Sequence, residues 1–168
     1  MESSIETLSV LAEITTGFVA FSVIVASLRV SFGQRLTPFQ KLLVQFFSIN
    51  GMLTISIELL PLVLAEYWNE EVIVARYTIY YTLIVATVYP AYYIRQRIRI
   101  KAPTPLASLF VIVGYAIWFP ILVAVATGFL WQPSLSIVIS ICYWSLFSSM
   151  LIFVYFLAEF IRPEHPET

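Results

Sequence analysis

The segment PFQKLLVQFFSINGMLTISIELLPLVLAE, Pro38 to Glu66, decides the fold. It exceeds the roughly 20 residues that a helix needs to cross a bilayer. It opens on Thr37-Pro38-Phe39-Gln40, which reads as a capping box with proline at the first helical position. Inside it, Phe47, Gly51, Thr54 and Glu58 fall on one helical stripe, with Gln45 and Asn50 to one side. A charge at mid-bilayer costs roughly 2.5–3.5 kcal/mol on insertion scales, so an acid such as Glu58 is expected to face protein or water rather than lipid.

The rest of the chain follows the same pattern. Of its 168 residues, 60% are hydrophobic and only 11% charged, against about 25% charged in an ordinary soluble domain; the mean hydropathy is +0.90. The sequence predicts an all-α fold, one polytopic membrane domain of five transmembrane helices over residues 5–30, 38–66, 70–95, 105–129 and 134–161. Helix follows because backbone groups in hydrocarbon must bond within their own segment unless a barrel closes, and the runs lack strand alternation. Thr104-Pro105 repeats the cap-and-proline start, Asn69-Glu70-Glu71 is expected to cap the third span, and Gln132-Pro133-Ser134 breaks the chain before the fifth. The loops are short, so successive helices are expected to be antiparallel neighbours.

Basic residues set the expected orientation. Arg29, Arg35 and Lys41 flank the first loop, Arg95, Arg97, Arg99 and Lys101 fill the third, and Arg162 follows the fifth span, whereas Arg76 alone lies on the other side. The positive-inside rule then puts the first and third loops and the C-terminus in the cytoplasm and the N-terminus outside. The basic run Arg95–Lys101 reads as an anchor against anionic lipid headgroups at the cytoplasmic face, worth about 1 kcal/mol per basic residue near the surface. Tyr67, Trp68, Phe129 and Trp131 fit the outer interface, and Tyr92 and Tyr93 the inner one. The acidic start, Met-Glu-Ser-Ser-Ile-Glu, is not expected to be a removable signal peptide.

Several chemistries lack their residues. Cys142 is the single cysteine, His165 the single histidine, and every acid is Glu. That excludes haem held by two histidines, zinc bound by His and Cys, a Ser–His hydrolase and a two-aspartate protease. No enzyme constellation and no cofactor is expected. A net charge of −1 gives no case for nucleic acid.

The candidate site is a charged layer. Counting about 1.5 Å per residue, Glu13 and Glu58 each lie roughly 12 Å below the outer end of their helices and Arg76 roughly 9 Å below. Spans one, two and three are therefore expected to meet around Glu13, Glu58 and Arg76, with Tyr80, Thr54 and Asn50 nearby. One reading is an ion-paired clamp that fixes helix register. The other is a polar site in which the second acid, left without a base, carries a proton or coordinates a cation. The serines of the fifth span, with Ser136, Ser140 and Trp144 on one face, read as helix-packing residues. The functional expectation is a small channel or transporter for an ion or small solute, assembled as a homo-oligomer in a bacterial inner membrane. The alternative is a non-catalytic accessory subunit docked on another membrane protein.

Overall fold

The structure, a computed structural model, describes residues 1–31, 36–101 and 106–161. Among these residues it is all-helical: α1 (Glu2–Ser31), α2 (Pro38–Ala65), α3 (Glu71–Arg99), α4 (Leu106–Ala126) and α5 (Leu135–Ile161). All five are long and apolar enough to cross a membrane. In α4 only 22% of the most apolar window is buried by the rest of the chain, so most of that helix presents an oily surface that belongs against lipid or another helix.

Local chemistry sets the helix ends. The Thr37 side chain accepts from the Gln40 backbone N–H at 3.2 Å, and Gln40 Oε1 accepts from the Thr37 N–H at 3.0 Å, so the expected capping box forms. The third helix starts one residue later than expected: its cap is Glu70, whose side chain makes no cap bond, not Asn69. The fourth ends at Ala126 rather than at Phe129, where Gly128 takes φ +74°, a value that favours glycine. The Thr104-Pro105 start lies outside the described residues. Pro61, Pro90 and Pro120 sit inside continuous helices, each removing one backbone donor.

The helices alternate in direction, and α5 is the hub. It touches all four others; α1 meets only α2 and α5, α3 meets α2, α4 and α5, and α2 and α4 do not meet. Three helix triangles, α1–α2–α5, α2–α3–α5 and α3–α4–α5, thus share one helix. At one end of the bundle Glu71 links three segments, with its Oε2 3.3 Å from the Met1 ammonium and its Oε1 accepting from the Leu135 N–H at 3.2 Å.

Two apolar clusters fill the interior. One gathers Leu8, Leu11, Val74, Ile79, Leu122 and Val138 toward the Glu71 end. The other holds Leu43, Phe47, Val111, Ile152 and Phe153, where Phe18, Phe47 and Phe153 meet edge-to-face with centroids 5.3–6.2 Å apart. Polar rungs fall between the two. Asn50 donates to Ser149 at 3.0 Å, and Ser145 and Thr54 are 2.9 Å apart. The Thr54 proton goes to the Asn50 carbonyl, which makes Ser145 the donor to Thr54. These rungs fix the antiparallel register of α2 against α5.

Close approach of α1 to α2 depends on Gly51, where an added Cβ would run into the Val19 side chain; at Gly17 the same atom would meet open space. The β-branched Val19 has little freedom to move aside. Gly51→Ala is therefore expected to lower stability by about 1–3 kcal/mol through overpacking. Gly17→Ala should be neutral or gain up to about 1 kcal/mol of helix propensity. Unfolding of both variants in mild detergent, followed by circular dichroism, tests the contrast.

Candidate functional site

The expected charged layer separates in three dimensions. The backbones of α1 and α3 do not approach each other closely, and the two acids and the arginine form no ion pair with one another among the described residues. Glu13 is exposed on the outer face of α1, in the stripe of Glu6, Val10, Gly17 and Ala20, and Arg76 is exposed on α3. Neither forms an ion pair with Glu58. The physical reason lies in helix phase. The buried stripe of α1 runs through Leu8, Leu11, Thr15 and Ser22, and Glu13, two residues from Thr15, points about 200° away from it.

Glu58 alone occupies the interior, at 0% exposure and on the α2 face that meets α1. Its Oε1 accepts from the Thr15 hydroxyl at 3.1 Å, while its Oε2 is buried without a hydrogen-bond partner. One turn earlier Thr54, and two turns earlier Asn50 to one side of the stripe, carry the rungs to α5. A lone buried carboxylate charge costs several kcal/mol even after relaxation. Thr15 was not singled out from sequence. Its signal is a place in the apolar i, i+3, i+4 series of α1, which marks a threonine directed inward.

Tyr80 does not join Glu58 either; its hydroxyl donates to the Ala126 carbonyl at 3.3 Å, tying α3 to the end of α4. Tyr81 takes the place nearer α2, with its hydroxyl 2.9 Å from that of Ser56. On α5 the inward serines are Ser145, Ser148 and Ser149, whereas Ser136 and Ser140 are exposed. The Trp144 indole lies where Gly114 of α4 leaves room, since a Cβ there would collide with its ring.

The basic run is helix, not loop. Arg95, Arg97 and Arg99 belong to the last turns of α3, with Lys101 just beyond at φ +50°. A spacing of two residues on a helix turns successive side chains through about 200°. Arg95 and Arg99 are exposed, as a headgroup anchor requires, but Arg97 is directed inward and only 7% exposed. Its guanidinium carbon sits 5.8 Å from the Tyr93 ring centroid.

Arg97 lines a cavity of about 310 Å³ in the space left because α2 and α4 do not meet. Its walls come from α2 (Asn50, Thr54), α3 (Thr82, Tyr89), α4 (Tyr115, Trp118) and α5 (Cys142, Ser145), with aliphatic residues between. The volume lies in the range of small-molecule sites. Thr54 and Ile57, in the turn before Glu58, are part of the wall, whereas Glu58 itself is not. No group of acids, histidines or cysteines able to hold a metal occurs among the described residues.

Fold and site together define a class: a bundle of five helices, all long and apolar enough to cross a membrane, with Glu58 the buried acid among the described residues and a partly polar cavity between helices. Compared with known protein families, curated proteins and solved structures, the chain matches none.

Among the described residues Thr15 is the one hydrogen-bond partner of the Glu58 carboxyl. Thr15→Val is expected to cost about 1–3 kcal/mol, the penalty of stranding a buried polar group. Glu13→Gln, on the outer face, should change stability by less than about 0.5 kcal/mol. Equilibrium unfolding in detergent distinguishes the two.

Proposed function

We propose that this chain is a small integral membrane transporter for an ion or small solute, oriented with its N-terminus outside and the Arg99 end of the bundle in the cytoplasm of a bacterial inner membrane. The observation that carries the reading is the Glu58 carboxyl: buried, bonded through one oxygen to Thr15, unpartnered at the other, and next in sequence to Ile57 of the cavity wall. An acid in that setting binds and releases a proton or a small cation as its surroundings change. The cavity beside it supplies room for a solute. The polar site thus contracts from the expected layer to Glu58, Thr15 and the Thr54–Ser145 rung.

The test uses proteoliposomes with a trapped pH-sensitive dye and an imposed pH step. Native protein should dissipate the step faster than empty vesicles, and Glu58→Gln, which cannot exchange a proton at that position, should slow it at least tenfold. Native protein no faster than empty vesicles would remove the transport reading, and an unaltered Glu58→Gln rate would remove Glu58 from the mechanism.

A second reading, an accessory subunit of a larger membrane complex, is favoured by the outward-facing charges. Glu13 and Arg76 both lie within spans and on exposed faces, where lipid is a poor neighbour and a polar group on an adjacent helix is a good one. A clamp between chains would then replace the one expected within the chain. Under this reading, purification in mild detergent yields a different membrane protein at fixed ratio, and Glu13→Ala or Arg76→Ala loosens it at least tenfold. A stable assembly of this chain alone counts against the subunit and for a homo-oligomer.

A further inference from the structure

A buried acid in a transporter can exchange either a proton or a metal cation, and the two need different surroundings. Glu58 is fully buried. Its Oε1 accepts from Thr15, and its Oε2 meets no hydrogen-bond partner among the described residues. Ile57 beside it, Leu11 one turn before Thr15, and Cys142 of α5 belong to one apolar cluster. Cys142 lies within electrostatic reach of the carboxyl. The charged side chains described on the helices packed against α2 are directed or placed elsewhere. Glu13 of α1 and Arg76 of α3 are exposed, and the arginines of the last turns of α3 are at the other end of the bundle. The Tyr81 hydroxyl of α3 is paired with Ser56.

A metal cation inside a protein replaces its hydration shell with oxygens, about six for magnesium and six to eight for calcium. Potassium sites likewise use rings of oxygens. Glu58 and Thr15 together offer three. The hydroxyl of Thr54, one turn earlier, is committed to the Asn50 carbonyl and to Ser145. Pro61 leaves the Ile57 carbonyl without its helical donor. That carbonyl points along α2 toward the C-terminal end, whereas side chains lean toward the N-terminal end. A proton needs no shell. One O–H bond neutralises the carboxylate, and a neutral buried group is tolerated where a bare charge is not.

We propose that Glu58 is a proton-binding site that excludes metal cations, with Thr15 positioning its carboxyl. On binding, the proton bonds to Oε2 and the carboxylate becomes a neutral acid; release reverses the step. Thr15 donates to Oε1 in both states and so holds the group in one orientation. The cavity, whose wall includes Thr54 one turn away, is the side from which water brings the proton. This names the ion of the transport reading and rests on that reading only for movement; proton binding is separable from it.

The experiment is infrared difference spectroscopy of the purified full chain in lipid vesicles, titrated with pH and without any gradient. A protonated carboxyl has a C=O stretch separate from the carboxylate stretches, and the Glu58 band is the one that Glu58→Gln removes. It is expected to vanish as the pH is raised and to return as it is lowered. Sodium, potassium, magnesium or calcium chloride, added at fixed pH and ionic strength, should leave it unchanged. Thr15→Val should shift the band to higher frequency, because the carbonyl oxygen loses its donor, and Thr15→Ser, which keeps the hydroxyl, should leave it in place. A hydrophobic carbodiimide gives a second readout on unmutated protein. The carboxyl oxygen bonds to the carbodiimide carbon, the proton passes to a nitrogen, and nothing leaves. The adduct is expected on Glu58 in peptide mass spectra and should fall at least tenfold once the band has vanished. A band or an adduct that a metal salt suppresses at fixed pH overturns the exclusion of cations. A Glu58 band absent or constant at every pH, or labelling that ignores pH, overturns the proton site, and an unshifted band in Thr15→Val overturns the role of Thr15. A titrating band with no flux in proteoliposomes would sink transport alone; flux that Glu58→Gln slows, with no titrating band, would sink the proton site alone.

Discussion

In hydrocarbon a polar group has only protein to bond to, and the interior of this bundle is arranged around that constraint. Backbone groups meet it by forming helices. Side-chain groups meet it by pairing across helices: Asn50 with Ser149, Thr54 with Ser145, Ser56 with Tyr81 and Thr15 with Glu58. Each of these joins α2 to a neighbour. They therefore do what apolar contacts do poorly in a membrane, which is to select one rotation and one register.

The same constraint makes the exceptions informative. Three buried side-chain atoms among the described residues lack a partner: Glu58 Oε2, Trp144 Nε1 and Ser148 Oγ. The tryptophan and serine carry neutral groups, whose isolation costs about 1–3 kcal/mol each. Glu58 differs in kind because its group is ionisable and its nearest polar company is a hydroxyl. A pair with Arg76 would have made it a structural clamp, and no such pair forms among the described residues.

The gap between α2 and α4 is the second consequence of the packing. With α5 as hub and α3 between them, the two helices are held apart, and Tyr89, Tyr115 and Trp118 fill only part of the space. Tyr89 is itself fixed by donation to the Phe46 carbonyl at 3.2 Å, so the wall is braced rather than free to collapse. Arg97 reaches this space because α3 stays helical through its basic end.

The spans and their limits were legible in the sequence because hydropathy, capping and helix-stopping act over a few residues. The Thr37–Gln40 box formed where its residues are written, and the depth of Glu58 along its helix follows from counting. Rotation about the helix axis was not legible, since a strongly apolar helix is oily on nearly every side and its inward face is chosen by neighbours. That is why Glu13 was expected beside Glu58 and lies outside, while Thr15, two residues on, takes the inner place. It is also why Arg97 was read with Arg95 and Arg99 as one anchor, although the helical period sends it the other way. Sequence by itself determined which segments are helical, where they start and stop to within about one turn, and which residues carry charge into them. Tertiary structure decided which of those charges are buried and what they face, because that depends on which helices touch, a property no local stretch of chain encodes.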